Sequence, residues 1–190
     1  MADVSKVNPH RPDYVGFVFA EGSSRRVTTG EAAAMKRALT PGILAVGVFV
    51  NQPMDLIEGL VREGVIDCVQ LHGDENDAFI RNVHEMLRCP VIRAVPVGKK
   101  PPARLPAADY LLFDTDSRAR GGSGTAFCWP LIAQVRTPYF LAGGLCAENV
   151  TEALRILQPY AVDISSGVET DGIKDETKIG RFIRLVREYH

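Results

Sequence analysis

The chain has 190 residues, 46% apolar and 24% charged, with 22 basic against 23 acidic side chains for a formal charge of −1. That length suits one sizeable domain over residues 1–190, and the ordinary composition excludes a disordered or low-complexity chain. There is no lysine or arginine run, no apolar stretch near the roughly 18–20 residues of a membrane span, and no signal-peptide core in MADVSKVNPHRPD, so a cytoplasmic chain with neither nucleic acid nor membrane as partner is expected.

The first apolar run is YVGFVF (14–19). Thr28 and Glu31 follow at capping-box spacing, with Ala32, Met35 and Leu39 behind them until Pro41 stops the helix. ILAVGVFV (43–50) precedes an apolar stripe of Ile57, Leu60 and Val61 that ends at Gly64. CVQL (68–71) precedes Phe79, Val83 and Leu87, spaced by four. VIRAV (91–95) leads into VGKKPPARLPAAD (97–109), whose three prolines predict a loop in place of a helix. YLLF (110–113), YFLA (139–142) and AVDI (161–164) complete the series. Val150, Leu154 and Leu157 mark a helix between the last two runs, and Ile179, Phe182, Ile183 and Val186 mark one at the C-terminus.

Several runs are apolar on consecutive positions, the pattern of parallel strands covered on both faces. Seven strands alternating with helices give repeated βα units, in either an open doubly wound sheet or a (β/α)₈ barrel. An open nucleotide-binding sheet places a G-x-G-x-x-G turn after its first strand, and AEGSSRRV lacks it. Glycines cluster instead after the sixth and seventh runs, where barrels bind phosphate. The barrel is therefore the expected fold, with seven of its eight strands visible.

In those clusters, AGGL and SSGV, the missing side chains of Gly143, Gly144 and Gly167 let backbone N–H groups approach an anion, and Ser165 and Ser166 add hydroxyl donors. Asp114 ends the run YLLF, so its carboxylate falls at the mouth of a barrel, where catalytic groups sit. The glycine-rich stretch from Arg120 to Thr125 reads as a mobile lid. His72 and Asp74 in QLHGDE are either a base with an orienting carboxylate or polar groups ending a strand. Arg25 and Arg26 in SSRRV are either an arginine fork for a carboxylate or solvent-facing charges. None of Cys68, Cys89, Cys128 and Cys146 forms a C-x-x-C pair, so neither a zinc site nor a disulfide framework is expected, and Cys68 reads as a small buried apolar residue.

GFVFAEGSSRRV, VGVFVNQP, VQLHGDE, LLFDT with GGSGTAFCW, FLAGGLCAENV and VDISSGVETDGIKD occur in that order. Together they resemble the phosphoribosylanthranilate isomerase family of tryptophan biosynthesis, over about residues 13–187. The resemblance implies a (β/α)₈ barrel and an Amadori rearrangement of N-(5-phosphoribosyl)anthranilate to 1-(2-carboxyphenylamino)-1-deoxyribulose 5-phosphate, with no metal or organic cofactor. By the same resemblance Asp114 is the general acid that opens the furanose, and Arg25 holds the anthranilate carboxylate. Gly143, Gly144, Ser165, Ser166 and Gly167 cradle the phosphate, and His72 occupies an active-site position.

Family members begin with a strand reading like K-I-C-G-L, whose cysteine is the general base. Here the matched region begins beyond it, so a barrel lacking its first strand, N-terminally truncated, is expected. Two readings follow: the isomerase itself, as a monomer or homodimer, or a phosphosugar-binding barrel that keeps the ligand loops without turnover. Indole-glycerol-phosphate synthase, another phosphate-binding barrel, would need lysine-bearing strands that the sequence lacks.

Overall fold

The computed structural model describes residues 2–115 and 127–189, so the glycine-rich stretch read as a lid lies outside the described residues. The chain divides into two compact units, Met1–Ala94 with Pro106–Tyr110 and Val95–Leu105 with Leu111–His190. The seven parallel strands begin at residues 14, 44, 68, 91, 110, 139 and 161, within one residue of the apolar runs.

In the first unit a short helix α1 (Ala2–Val7) precedes β1 (Tyr14–Val18), which is followed by α2 (Thr29–Ala38), β2 (Leu44–Phe49), α3 (Met54–Arg62), β3 (Cys68–Leu71), α4 (Asp77–Leu87) and β4 (Val91–Val97). Parallel ladders join β1 to β2, β2 to β3 and β3 to β4. The predicted capping box is present. Glu31 N–H donates to Thr28 Oγ1 at 3.2 Å and Thr28 N–H donates to Glu31 Oε2 at 2.8 Å, which satisfies two otherwise orphan donors. Asn76 caps α4 in the same sense, its Oδ1 accepting from Phe79 N–H at 2.9 Å. The apolar stripes of these helices bury Ala32, Ile57, Leu60, Ile80 and Val83 against strand residues that include Phe49 and Val69. β3 is buried at all four positions, as a strand covered on both faces must be. β4 runs two residues past the predicted VIRAV, through the exposed Pro96.

The second unit contains β5 (Tyr110–Thr115), β6 (Tyr139–Leu141), α5 (Val150–Leu157), β7 (Ala161–Val162) and the C-terminal helix α6 (Glu176–Tyr189). β5 pairs with β6 and β6 with β7, all parallel. Tyr139 is buried edge-on to Phe113, with ring centroids 5.2 Å apart. Its hydroxyl donates to Leu157 O at 2.9 Å, which ties β6 to the end of α5. β7 is shorter than the run AVDI: Ala161 and Val162 are in register with β6, Asp163 N–H makes the last bond to it, to Leu141 O at 2.8 Å, and the chain then enters a 3₁₀ turn at Ser166–Val168. A hairpin absent from the sequence-based expectation follows, β8 (Glu169–Thr170) with β9 (Ile173–Lys174). Its two turn residues, Asp171 and Gly172, both have positive φ (52° and 77°), the Asp-Gly form that matches strand twist.

Among the described residues no helix is long and apolar enough to cross a membrane. Cys68 and Cys89 are buried, as free thiols.

Candidate active site

Each candidate residue lies in the last two residues of its strand, as Asp114 does on β5, or in the segment that follows it. In the first unit the turn after β3 is held by side chains. Glu75, 3% exposed at its side chain, accepts from the backbone N–H of Asn51 at 2.7 Å and of Gly73 at 2.9 Å. Arg93 on β4 donates to the same carboxylate at 2.8 Å, and also to Leu71 O at 2.9 Å and Gly73 O at 2.8 Å. Asn51, at φ 57°, accepts from Asp74 N–H at 2.8 Å and packs so closely on Gly73 that a Cβ there would lie 2.5 Å from its Oδ1.

His72 sits between these anchors. Its N–H donates to Phe49 O at 2.8 Å, and its Nδ1 lies 3.2 Å from Gln70 Oε1. The group facing the ring is thus the buried Gln70 carboxamide, while Asp74 is exposed and engaged by Asn51. Arg25 and Arg26 are both exposed on the turn after β1; Arg25 N–H donates to Ser23 Oγ at 3.2 Å.

In the second unit the end of β5 and the turns after β6 and β7 meet through glycine. Asp114, half-buried, accepts from Thr115 N–H at 2.7 Å. A Cβ on Gly143 would lie 2.8 Å from Asp114 Oδ1 and 2.5 Å from Thr115 Oγ1, and φ at Gly143 is 83°. Gly143 is therefore required twice, by its backbone conformation and by the close approach of Asp114 and Thr115. A Cβ on Gly167 would lie 2.1 Å from Leu145 O, so the SSGV turn rests directly on the AGGL turn. Asn149 fastens the latter, accepting from Cys146 N–H at 2.9 Å and donating to Gly144 O at 2.9 Å. Ser165 and Ser166 are exposed beside it. Among the described residues no group of three or more His, Cys, Asp or Glu side chains forms a metal site.

Glu75, Arg93, Asn51, Gln70 and Asn149 were not singled out in the sequence. Arg93 carried a signal: a lone charge inside the run VIRAV needs a buried partner.

The fold first defines a class. The structure aligns with a phosphoribosyl anthranilate isomerase from Thermotoga maritima at TM-score 0.84 and 34% identity, covering 98% of this chain and 94% of that one. The chain is thus a (β/α)₈-barrel protein, with seven parallel strands among its described residues. It belongs to the N-(5′-phosphoribosyl)anthranilate isomerase family, whose model matches residues 1–185. An N-(5′-phosphoribosyl)anthranilate isomerase from Endomicrobium trichonymphae is 46% identical over 97% of this chain and 92% of its own length. A further isomerase structure, solved with reduced 1-(o-carboxyphenylamino)-1-deoxyribulose 5-phosphate, aligns at TM-score 0.79 and 31% identity, covering 98% of this chain and 93% of that one. By these measures the chain is nearly as long as its relatives rather than a short remnant of one. As a member of this family it is an isomerase of tryptophan biosynthesis.

Proposed function

We propose that this chain, acting as one domain, performs the family's Amadori rearrangement with the residues described above in defined roles. The substrate is N-(5′-phosphoribosyl)anthranilate. Asp114 protonates the furanose oxygen, the C1–O bond breaks, and the nitrogen lone pair forms the iminium. A general base, in the family the cysteine of the K-I-C-G-L strand, takes the C2 proton to give the enolamine; protonation at C1 and loss of the enol proton then give 1-(2-carboxyphenylamino)-1-deoxyribulose 5-phosphate. Arg25 holds the anthranilate carboxylate with a planar, two-pronged donor set that lysine does not reproduce. Gly143, Gly144, Ser165, Ser166 and Gly167 hold the phosphate, and His72 contacts the substrate from the β3 turn. The steps call on no metal or organic cofactor, and the enzyme works in the cytoplasm as a monomer or homodimer, without a nucleic-acid partner.

What supports the reading is the packing of the AGGL turn against both Asp114 and the SSGV turn. That packing joins a strand-end acid to backbone made for anions. The second reading is a phosphosugar-binding barrel without turnover. The base is a cysteine on a K-I-C-G-L strand in the family, and neither buried cysteine here substitutes for it. Burial pushes the Cys68 thiol up to about 11, with Asp67 adding to the shift, and raises Cys89 as well. Both are protonated at neutral pH.

A steady-state assay of this chain, of the chain extended by a K-I-C-G-L strand, and of Asp114→Asn in each separates the readings. With the base supplied only by the added strand, the unextended chain binds a reduced product analogue yet turns over at least about a hundredfold more slowly, within the range for a positioned acid or base. Asp114→Asn abolishes turnover in the extended form, because a carboxamide is far too weak an acid to protonate the ring oxygen. Full activity in Asp114→Asn would remove Asp114 from the proposed role.

A further inference from the structure

The hairpin after the SSGV turn holds a lysine that the rearrangement leaves unused. Lys174 stands on β9, directly opposite Glu169 on β8. Its Nζ lies 2.8 Å from Ser165 O, 3.2 Å from Ser165 Oγ and 2.8 Å from Glu169 Oε1. An ammonium has three donors, and these acceptors engage all three. The lysine side chain is 21% exposed and that of Glu169 10%, so the pair is largely covered. An ion pair so covered costs desolvation that a surface pair does not, and it holds its geometry correspondingly well.

The surrounding contacts make the hairpin a rigid support. Lys178 Nζ donates to Glu169 O at 2.7 Å, and Asp175 N–H donates to Val168 O at 2.9 Å. Thr170 Oγ1 donates to Asp175 Oδ2 at 2.8 Å, while Asp175 Oδ1 accepts two N–H groups in the first turn of α6, those of Thr177 and Lys178. The chain thus anchors a cation through Glu169, the hairpin and α6, and directs it at one residue of the adjoining turn, Ser165.

We propose that Lys174 is a positioning residue for phosphate recognition. It fixes Ser165, and with it the conformation in which Ser165, Ser166 and Gly167 present their N–H and hydroxyl donors. With its donors engaged by the turn and by Glu169, it acts through Ser165 rather than as a phosphate ligand. The inference rests on the reading of the SSGV turn as phosphate-binding.

The test is equilibrium titration of Lys174→Met, Lys174→Arg, Glu169→Gln and Gly167→Ala with two probes, inorganic phosphate and anthranilate. Lys174→Met weakens phosphate about tenfold, the scale of one charge-assisted hydrogen bond, and leaves anthranilate unchanged. Lys174→Arg restores part of the loss, and Glu169→Gln weakens phosphate less than Lys174→Met does. If Lys174→Met does not fold, Glu169→Gln carries the test, with the same selectivity for phosphate required. Unchanged phosphate binding in Lys174→Met and Glu169→Gln, with Gly167→Ala impaired, overturns the role of Lys174 and leaves the turn's reading standing. Unchanged phosphate binding in all four variants overturns the reading itself. Equal loss of both probes shows general collapse and also overturns the proposal.

Discussion

The turn after β3 and the turns after β6 and β7 differ in what carries most of the load. The first is a side-chain construction: the buried Glu75 carboxylate collects two backbone N–H groups and the Arg93 guanidinium, and Arg93 ties back to two carbonyls. The others rest first on backbone packing, in which Gly143 and Gly167 leave no room for a Cβ, with Asn149 and Lys174 as side-chain fastenings. A turn meant to present ring and carboxamide groups, such as His72 and Gln70, tolerates charge in its foundation. On the proposed reading, a turn that presents N–H donors to an anion leaves its own glycine positions clear of side chains.

The contrast is broken most severely by removing a charge from the β3 turn. Arg93→Met leaves Glu75 buried and unpaired, and unfolding free energy in urea should fall by about 3–5 kcal/mol. Adding Glu75→Gln to that variant should recover part of the loss, because the stranded charge disappears while an acceptor remains. A loss below about 1 kcal/mol would show that the pair is solvated and the turn is held otherwise.

Next comes a methyl group in the glycine-built region. Gly167→Ala drives a Cβ into Leu145 O and should cost about 2 kcal/mol, the scale of overpacking, along with phosphate binding. The same substitution at Gly42, where a Cβ would meet nothing within 4 Å but φ is 97°, carries conformational strain without a clash and so separates the two causes. Asn149→Ala removes the side-chain fastening from the AGGL turn, and about 1 kcal/mol should be lost, read from the same urea curves. A loss as large as that of Arg93→Met would dissolve the comparison.

The smallest effect is on pH. Hydrogen bonds from Thr170 and from two N–H groups in the first turn of α6, with the charge of Lys178 adding, hold the Asp175 carboxyl below its ordinary value of 3.8. Its folded-state value is depressed, so the stability it contributes is present above 3.8 and is lost as pH falls through the folded value. Asp175→Asn should therefore flatten the acid limb of the stability profile below that pH and leave the neutral region's shape unchanged. An unchanged acid limb would show that Asp175 titrates alike in the folded and unfolded chain.

The same contrast explains what the sequence disclosed. Strand positions were legible because a strand buried on both faces must be apolar at consecutive residues, as CVQL and YLLF are. AGGL and SSGV were legible because a glycine reports on backbone at its own position. The Glu75–Arg93–Asn51 network was not, since its members lie on three βα units and only the parallel ladders bring them together. His72 was seen, with Asp74 as an orienting carboxylate in one of two readings and both as polar groups ending a strand in the other. Two residues apart on an extended strand, Gln70 and His72 share a face, and Gln70 lies opposite the ring, whereas Asp74 falls beyond the turn at Gly73. The Asp171-Gly172 hairpin did carry its dipeptide signal, hidden by the brevity of its two-residue strands.

The central claim is that anion recognition is assigned to the glycine-built turns and carboxylate recognition to the turn bearing Arg25. A crystal structure of this chain with reduced 1-(2-carboxyphenylamino)-1-deoxyribulose 5-phosphate tests it in one measurement. The account predicts the phosphate on the backbone N–H groups around Gly144, Ser166 and Gly167, the anthranilate carboxylate on Arg25, and Asp114 within hydrogen-bonding distance of the sugar oxygens. A phosphate bound on the β3 turn, or a ligand that leaves the AGGL and SSGV turns untouched, would contradict it.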